Sequence, residues 1–132
     1  MGTIELVTCR TYPPRPLNHF YAEEITRVDL PEPGYWLLIG RVTVSNQDGD
    51  VQKASAQISR LVGTPTGTVL QPIVTDDLAE GIPGKSDHCF YLQAAVVTES
   101  EGETFSLLCG TYAGQADWGS LFALKVDKIT LG

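Results

Sequence analysis

The chain has 132 residues, 42% of them hydrophobic, with 9 basic and 16 acidic side chains for a net charge of −7. That length suffices for one domain to bury a core without staples. The acidic balance excludes a nucleic-acid-binding surface, which needs clustered Lys and Arg, and works against attraction to an anionic membrane.

No apolar run approaches the ~20 residues of a membrane helix. The opening Met1–Arg10 lacks both the basic flank and the apolar stretch of a signal peptide, and Leu6 breaks the myristoylation pattern that Met1-Gly2 begins. The compartment is left unknown: a cytoplasmic protein, or a chain without its export signal. Thr3–Arg10 alternates around Ile4, Leu6 and Thr8 and suits a first strand. Tyr12-Pro-Pro-Arg-Pro16 stops it, because prolines remove ladder donors and force extended geometry. A short strand is expected over Glu24–Leu30, then a firm turn at Pro31-Glu-Pro-Gly34.

Tyr35–Val44 carries the strongest pattern. Trp36, Leu38, Gly40, Val42 and Val44 face one way, and Tyr35, Leu37, Ile39, Arg41 and Thr43 the other. Both faces begin apolar, so something beyond the core is expected to cover the first half. Gly40 inside the strand marks a close approach by a neighbour. Asp48-Gly49 signals a hairpin, and Gln52–Val62 returns. Thr68–Thr75 reads as a short edge strand because of Pro72, and Asp76–Asp87 as the longest loop. Cys89–Thr98, Glu103–Tyr112 and Ser120–Leu131 complete the set, with Gln115–Gly119 as a polar loop between the last two. Period-two patterning at this spacing predicts one all-β domain over residues 1–132, an antiparallel two-sheet jelly-roll sandwich of about eight strands.

Catalytic and metal motifs fail on geometry. Gly84-Lys85-Ser86 lacks the upstream glycine of a phosphate-binding loop, since Ala79 stands there, and it precedes a strand rather than a helix. His88 cannot activate Cys89, because adjacent strand residues point to opposite faces. Cys9, Cys89 and Cys109 show no metal-ligand spacing with His19 or His88. They allow one disulfide at most, and Cys109 is expected to point into the sandwich as a small hydrophobe. Calcium is the one cofactor with a candidate ligand set, the loop acids Asp48 and Asp50, Asp76, Asp77 and Glu80, and Glu99, Glu101 and Glu103. No loop has dense ligand spacing, and ordinary turn chemistry accounts for the same residues. No cofactor is therefore assigned. Trp118, in the polar segment Gln115-Ala-Asp-Trp-Gly119, either plugs the sandwich end or meets a partner. Asp117 beside it can accept a hydrogen bond from a sugar hydroxyl. These two are the candidate binding residues.

The stretch Leu30-Pro-Glu-Pro-Gly-Tyr-Trp-Leu-Leu-Ile-Gly-Arg-Val-Thr-Val-Ser-Asn46 resembles the opening of a large group of bacterial jelly-roll domains. In that group a Pro-x-Gly-x-Tyr turn feeds a strand ending in Val-x-Leu-x-Asn. Those domains are similar to the globular heads of complement and of tumour necrosis factor. The likeness continues through Ser59-Arg-Leu-Val62, Phe105-Ser-Leu-Leu-Cys109 and Phe122–Ile129, covering residues 28–131, mostly as hydrophobic spacing. Members often carry a cysteine before the Arg-Leu pair; Ser59 stands there, so the disulfide the resemblance would imply is absent.

The resemblance implies a non-enzymatic binding or structural module that trimerises, with no shared catalytic residue. A carbohydrate-binding module and a phage or particle decoration protein are the alternatives, followed by a glycan-active enzyme. Tyr91, Phe105 or Phe122 is expected to extend the apolar surface of Tyr35–Ile39, and a homotrimer to bury it. The competing expectation is that Tyr12–Leu30 folds back over it. No nucleic acid and no membrane insertion are expected.

Overall fold

A computed structural model describes the backbone of residues 5–8 and 15–126, and the side chains of 16, 17 and 23–126 apart from position 118. The described residues form seven strands and no helix: β1 (Glu5–Thr8), β2 (Arg15–Leu30), β3 (Gly34–Asn46), β4 (Gln52–Thr64), β5 (Gly67–Ile82), β6 (Asp87–Thr98) and β7 (Glu103–Val126). Every pairing among them is antiparallel.

The 24-residue β7 organises the rest. On one flank its first half, Phe105–Thr111, pairs with β4, and its second half, Gly114–Val126, pairs with β3. On the other flank lie β2 and then β1. One layer is therefore β5-β4-β7-β2 and the other β6-β3-β7-β1. Because β7 fills a place in both layers, seven strands supply eight strand positions. The result is the antiparallel two-sheet jelly roll that the patterning predicts.

Three segments differ from the sequence reading. Gln115–Gly119 is not a loop, because β7 runs straight through it. A Cβ on Gly114 would sit 2.4 Å from the Ser45 carbonyl oxygen, and one on Gly119 would sit 2.2 Å from Ile25 Cγ2. These glycines mark close approach within a sheet, not turns. Likewise Asp76–Ile82 belongs to β5, leaving only Pro83–Ser86 as the connection to β6. Its acids face solvent along an edge strand, where charge and strand do not conflict. Finally, β2 begins well before Glu24. Register shifts at Leu17/His19, His19/Glu23 and Glu24/Thr26 break its alternation and conceal it.

The core lies between the layers. Trp36, Leu38, Val42 and Val44 of β3 meet Ile58 of β4, Phe90 and Leu92 of β6 and Phe105, Leu107 and Leu121 of β7, all buried. Cys109 is buried among them and forms no disulfide. A Cβ on Gly40 would lie 3.1 Å from Leu107 Cδ1 and 3.3 Å from Ile58 Cδ1, so glycine there lets the layers close. The Trp36 indole donates to the Glu32 carbonyl at 3.2 Å. This satisfies its one polar atom and ties the Pro31–Pro33 turn to the core.

At one end of the sandwich Asn46, itself buried, locks two loops together. Its Nδ2 donates to the carbonyls of Asp50 at 2.7 Å, Ile82 at 2.8 Å and Pro83 at 3.2 Å, while its Oδ1 accepts from Asp48 N at 2.9 Å. Asn46→Ala would leave those carbonyls without their donor, at a cost of about 1–3 kcal/mol. A clear fall in the urea midpoint at unchanged m-value is expected; an unchanged midpoint would refute the lock.

Candidate functional site

The side of β6-β3-β7 that faces away from the core is built by alternation. Residues paired with Tyr35, Leu37 and Ile39 share their face, which gives three cross-strand rows. These are Val97–Tyr35–Val126, Ala95–Leu37–Leu124 and Gln93–Ile39–Phe122. Of the nine positions in these rows, only Gln93 and the Tyr35 hydroxyl bring polar atoms and none is charged. Tyr35, Val97 and Phe122 are exposed, and Leu37, Ile39 and Leu124 half-buried. An antiparallel sheet normally leaves such a face polar. Phe105, expected as an extension of this surface, is instead fully buried in the core on β7. Alternation puts it with Leu107 and Cys109, and the Arg60 guanidinium stacks over its ring at 5.1 Å. The described part of the segment expected to fold back, Arg15–Leu30, lies edge-on beside β7 and does not cover the face. Cys9 and Tyr12–Pro14 lie outside the described residues.

Beyond the third row the same face turns polar. Arg41 is paired with Tyr91, and its guanidinium lies 5.6 Å from the Tyr91 ring centre. The next pair is Thr43 with Cys89. Burial pushes the Cys89 thiol up, but hydrogen bonds from Thr43, Arg41 and Tyr91 and the charge of Arg41 outweigh it. The thiol is held below its ordinary range. The same contact raises Arg41, chiefly through its hydrogen bond with Cys89. His88 turns the other way and stacks edge-on against Phe90 at 4.6 Å. The sequence reading missed the Arg41–Tyr91–Cys89 group because only the strand register brings these residues together.

Asp117 sits on β7 opposite Thr43. Ser45 Oγ donates to its Oδ2 at 2.5 Å and Gln115 Nε2 to its Oδ1 at 2.5 Å. Each carboxylate oxygen is thus engaged within the sheet. Trp118 follows it in the same strand, and its side chain lies outside those described. Of the loop acids, Asp48 accepts from Gly49 N and Gln52 Nε2, and Glu103 from Glu99 N. These carboxylates fix their own turns. Among the described residues no three His, Cys, Asp or Glu side chains gather in a way that could hold a metal ion.

No protein-family model matches the chain, and no curated protein does. Solved structures do. Murine APRIL superposes with a TM-score of 0.62 at 10% identity, over 94% of this chain and 100% of that one. Eiger TNF from S. frugiperda gives 0.58 at 9% identity, over 96% and 97%. The fold is a TNF-like jelly roll. The infectious bursal disease virus Gx strain gives 0.58 at 13% identity over 93% of this chain, which spans about a third (32%) of that viral chain. At these identities the likeness fixes the TNF-like fold and no more.

The Cys89 environment has a measurable consequence. A thiol held below its usual range reacts as thiolate at lower pH. Arg41→Ala removes the cation and one hydrogen bond, so the pH midpoint of Cys89 alkylation by iodoacetamide is expected to rise. Peptide mass mapping at Cys89 reads it; a midpoint that does not move would remove Arg41 from the account.

Proposed function

We propose that this chain is a non-enzymatic binding or structural module that works as a homotrimer, with the outer face of β6-β3-β7 as its self-association surface. The observation that carries this reading is the uncharged, three-row apolar face on a chain of net charge −7. A patch of this kind on a soluble monomer is a liability that symmetric assembly removes. The sequence resemblance to the complement and tumour necrosis factor heads supports threefold packing. Particle formation is the second reading, favoured by a viral neighbour described as T=1 particles, with a TM-score of 0.59 at 12% identity over 93% of this chain and 31% of that one. A glycan-binding role through Asp117 and Trp118 has less in its favour, because the Asp117 carboxylate is already taken by Ser45 and Gln115.

Multi-angle light scattering tests the proposal. At micromolar concentration the chain is expected at three times its 14.3 kDa mass. Phe122→Asp, at an exposed position where the fold itself tolerates charge, is expected to give single chains with an unchanged β-type circular dichroism spectrum. A wild-type chain running as one 14.3 kDa unit would overturn the trimer.

A further inference from the structure

Beyond the apolar rows the outer face carries four side chains in two adjacent cross-strand pairs, Arg41 with Tyr91 and Thr43 with Cys89. Residues two apart along a strand share a face, so all four stand on the same side of β3 and β6. Thr43, Arg41 and Tyr91 all hydrogen-bond to the Cys89 thiol. That thiol is half-buried, and Arg41 and Tyr91 beside it are exposed. Cys109, by contrast, is sealed in the core.

Arg41 also differs from the other described arginine side chains in its charge partner. Arg27 pairs with Glu24 at 2.8 Å and Arg60 with Glu103 at 3.7 Å. Among the described residues no carboxylate lies within ion-pair reach of Arg41. Asp117, opposite Thr43, is engaged by Ser45 and Gln115 instead. In a chain with 16 acids and 9 bases, an exposed guanidinium without a carboxylate is an open position for an anion. Its acidic neighbours are a thiol and a phenol.

We propose that Cys89 is a thiol–disulfide exchange site, at which Arg41 holds a carboxylate of a small amino-acid-derived disulfide while the Cys89 sulfur attacks its S–S bond. One half of the disulfide stays on Cys89 as a mixed disulfide. The other half leaves as a thiolate and takes up the proton that Cys89 has released. One S–S bond forms and one breaks, so no further oxidant is consumed. Such a nucleophile needs an adjacent cation that favours the thiolate, and access from solvent, and both are present. Among the described residues the reaction stops at the adduct, because Cys109 is sealed in the core and cannot attack it. Where copies assemble through this face, adduct and trimer exclude one another, since a bulky anionic group then stands in the contact. That consequence rests on the trimer reading above; the exchange site itself does not.

Two disulfides of opposite charge test this: oxidised glutathione, which carries carboxylates, and cystamine, which carries amines. Rates of adduct formation at Cys89 are read by peptide mass mapping. Each is divided by the rate of the same disulfide with N-acetylcysteine amide at the same pH. The thiolate fraction and the accessible fraction of the chain enter both rates alike and cancel in their ratio. A net charge of −7 attracts the cationic reagent overall, so a preference for oxidised glutathione reports Arg41. Wild type is expected to favour oxidised glutathione about two- to fivefold, the range of an exposed ion pair. Arg41→Ala is expected to lose the preference, and Arg41→Lys to keep part of it. No adduct at Cys89, a wild-type preference for cystamine, or a preference that survives Arg41→Ala overturns the proposal. Light scattering on the fully glutathionylated chain reads the consequence: single chains of 14.3 kDa are expected, returning to trimers on reduction. A modified chain that remains trimeric overturns the coupling and leaves the trimer reading intact. A wild type that is monomeric before modification removes the trimer reading, and the rate ratio then decides the exchange site alone.

Discussion

The structure depends on one strand belonging to two sheets. β7 gives its first half to the layer of β4 and its second half to the layer of β3, with no turn between them. A strand can do this only where neighbours pack against bare backbone at the crossing. Gly114 beside Ser45 and Gly119 beside Ile25 supply those places. Because Leu107 and Leu121 on either side of the crossing both point inward and are fully buried, one continuous strand sets the spacing of the two layers. It also sets the register of β3, and so decides which of that strand's two apolar faces becomes core and which becomes surface.

How much of this the letters contain varies with the physics behind each element. The period-two pattern of β3, β4 and β6 is legible because half of each strand is buried and half is not. The two-sided apolarity of Tyr35–Ile39 and the crowding at Gly40 are legible for the same reason, since both are local. What escapes is whatever depends on partners far away in sequence. Glycine serves both turns and close approach, so the crossing in β7 reads as a loop. Asp76, Asp77 and Glu80 read as a loop because acids are rare in buried strands, yet an edge strand exposes them. The place of Phe105 depends on which face Leu107 and Cys109 take, and three strands must be docked before that is fixed. Arg41, Tyr91 and Cys89 look unrelated until β3 and β6 are paired, whereas Asp117 and Trp118 draw notice simply by being adjacent.

Charge is distributed in keeping with this division. A net charge of −7 is carried by loops, by the β2 edge and by the acidic end of β5, while the three apolar rows carry none. Uniformly spread, the same charge would oppose self-association everywhere and keep the chain monomeric. Concentrated elsewhere, it leaves the outer face of β6-β3-β7 neutral, so the self-association proposed above would meet little repulsion there. In the proposed trimer, acidity that favours solubility would also favour this neutral face as the contact.

The polar end of the outer face fits the same logic. Burying a polar group between copies costs most when the group arrives unpartnered. Here the groups are already partnered within one chain: Arg41 stacks on Tyr91 and contacts Cys89, and Asp117 accepts from Ser45 and Gln115. Ser45 itself is buried beneath that carboxylate. With Arg41 and Asp117 engaged in this way, withdrawing water from that part of the face would cost less. In the proposed trimer the apolar rows would supply the drive for association, and the pre-paired Arg41 and Asp117 would lower the penalty against it. Together they make the whole outer face of β6-β3-β7 suited to burial, which neither half would be alone.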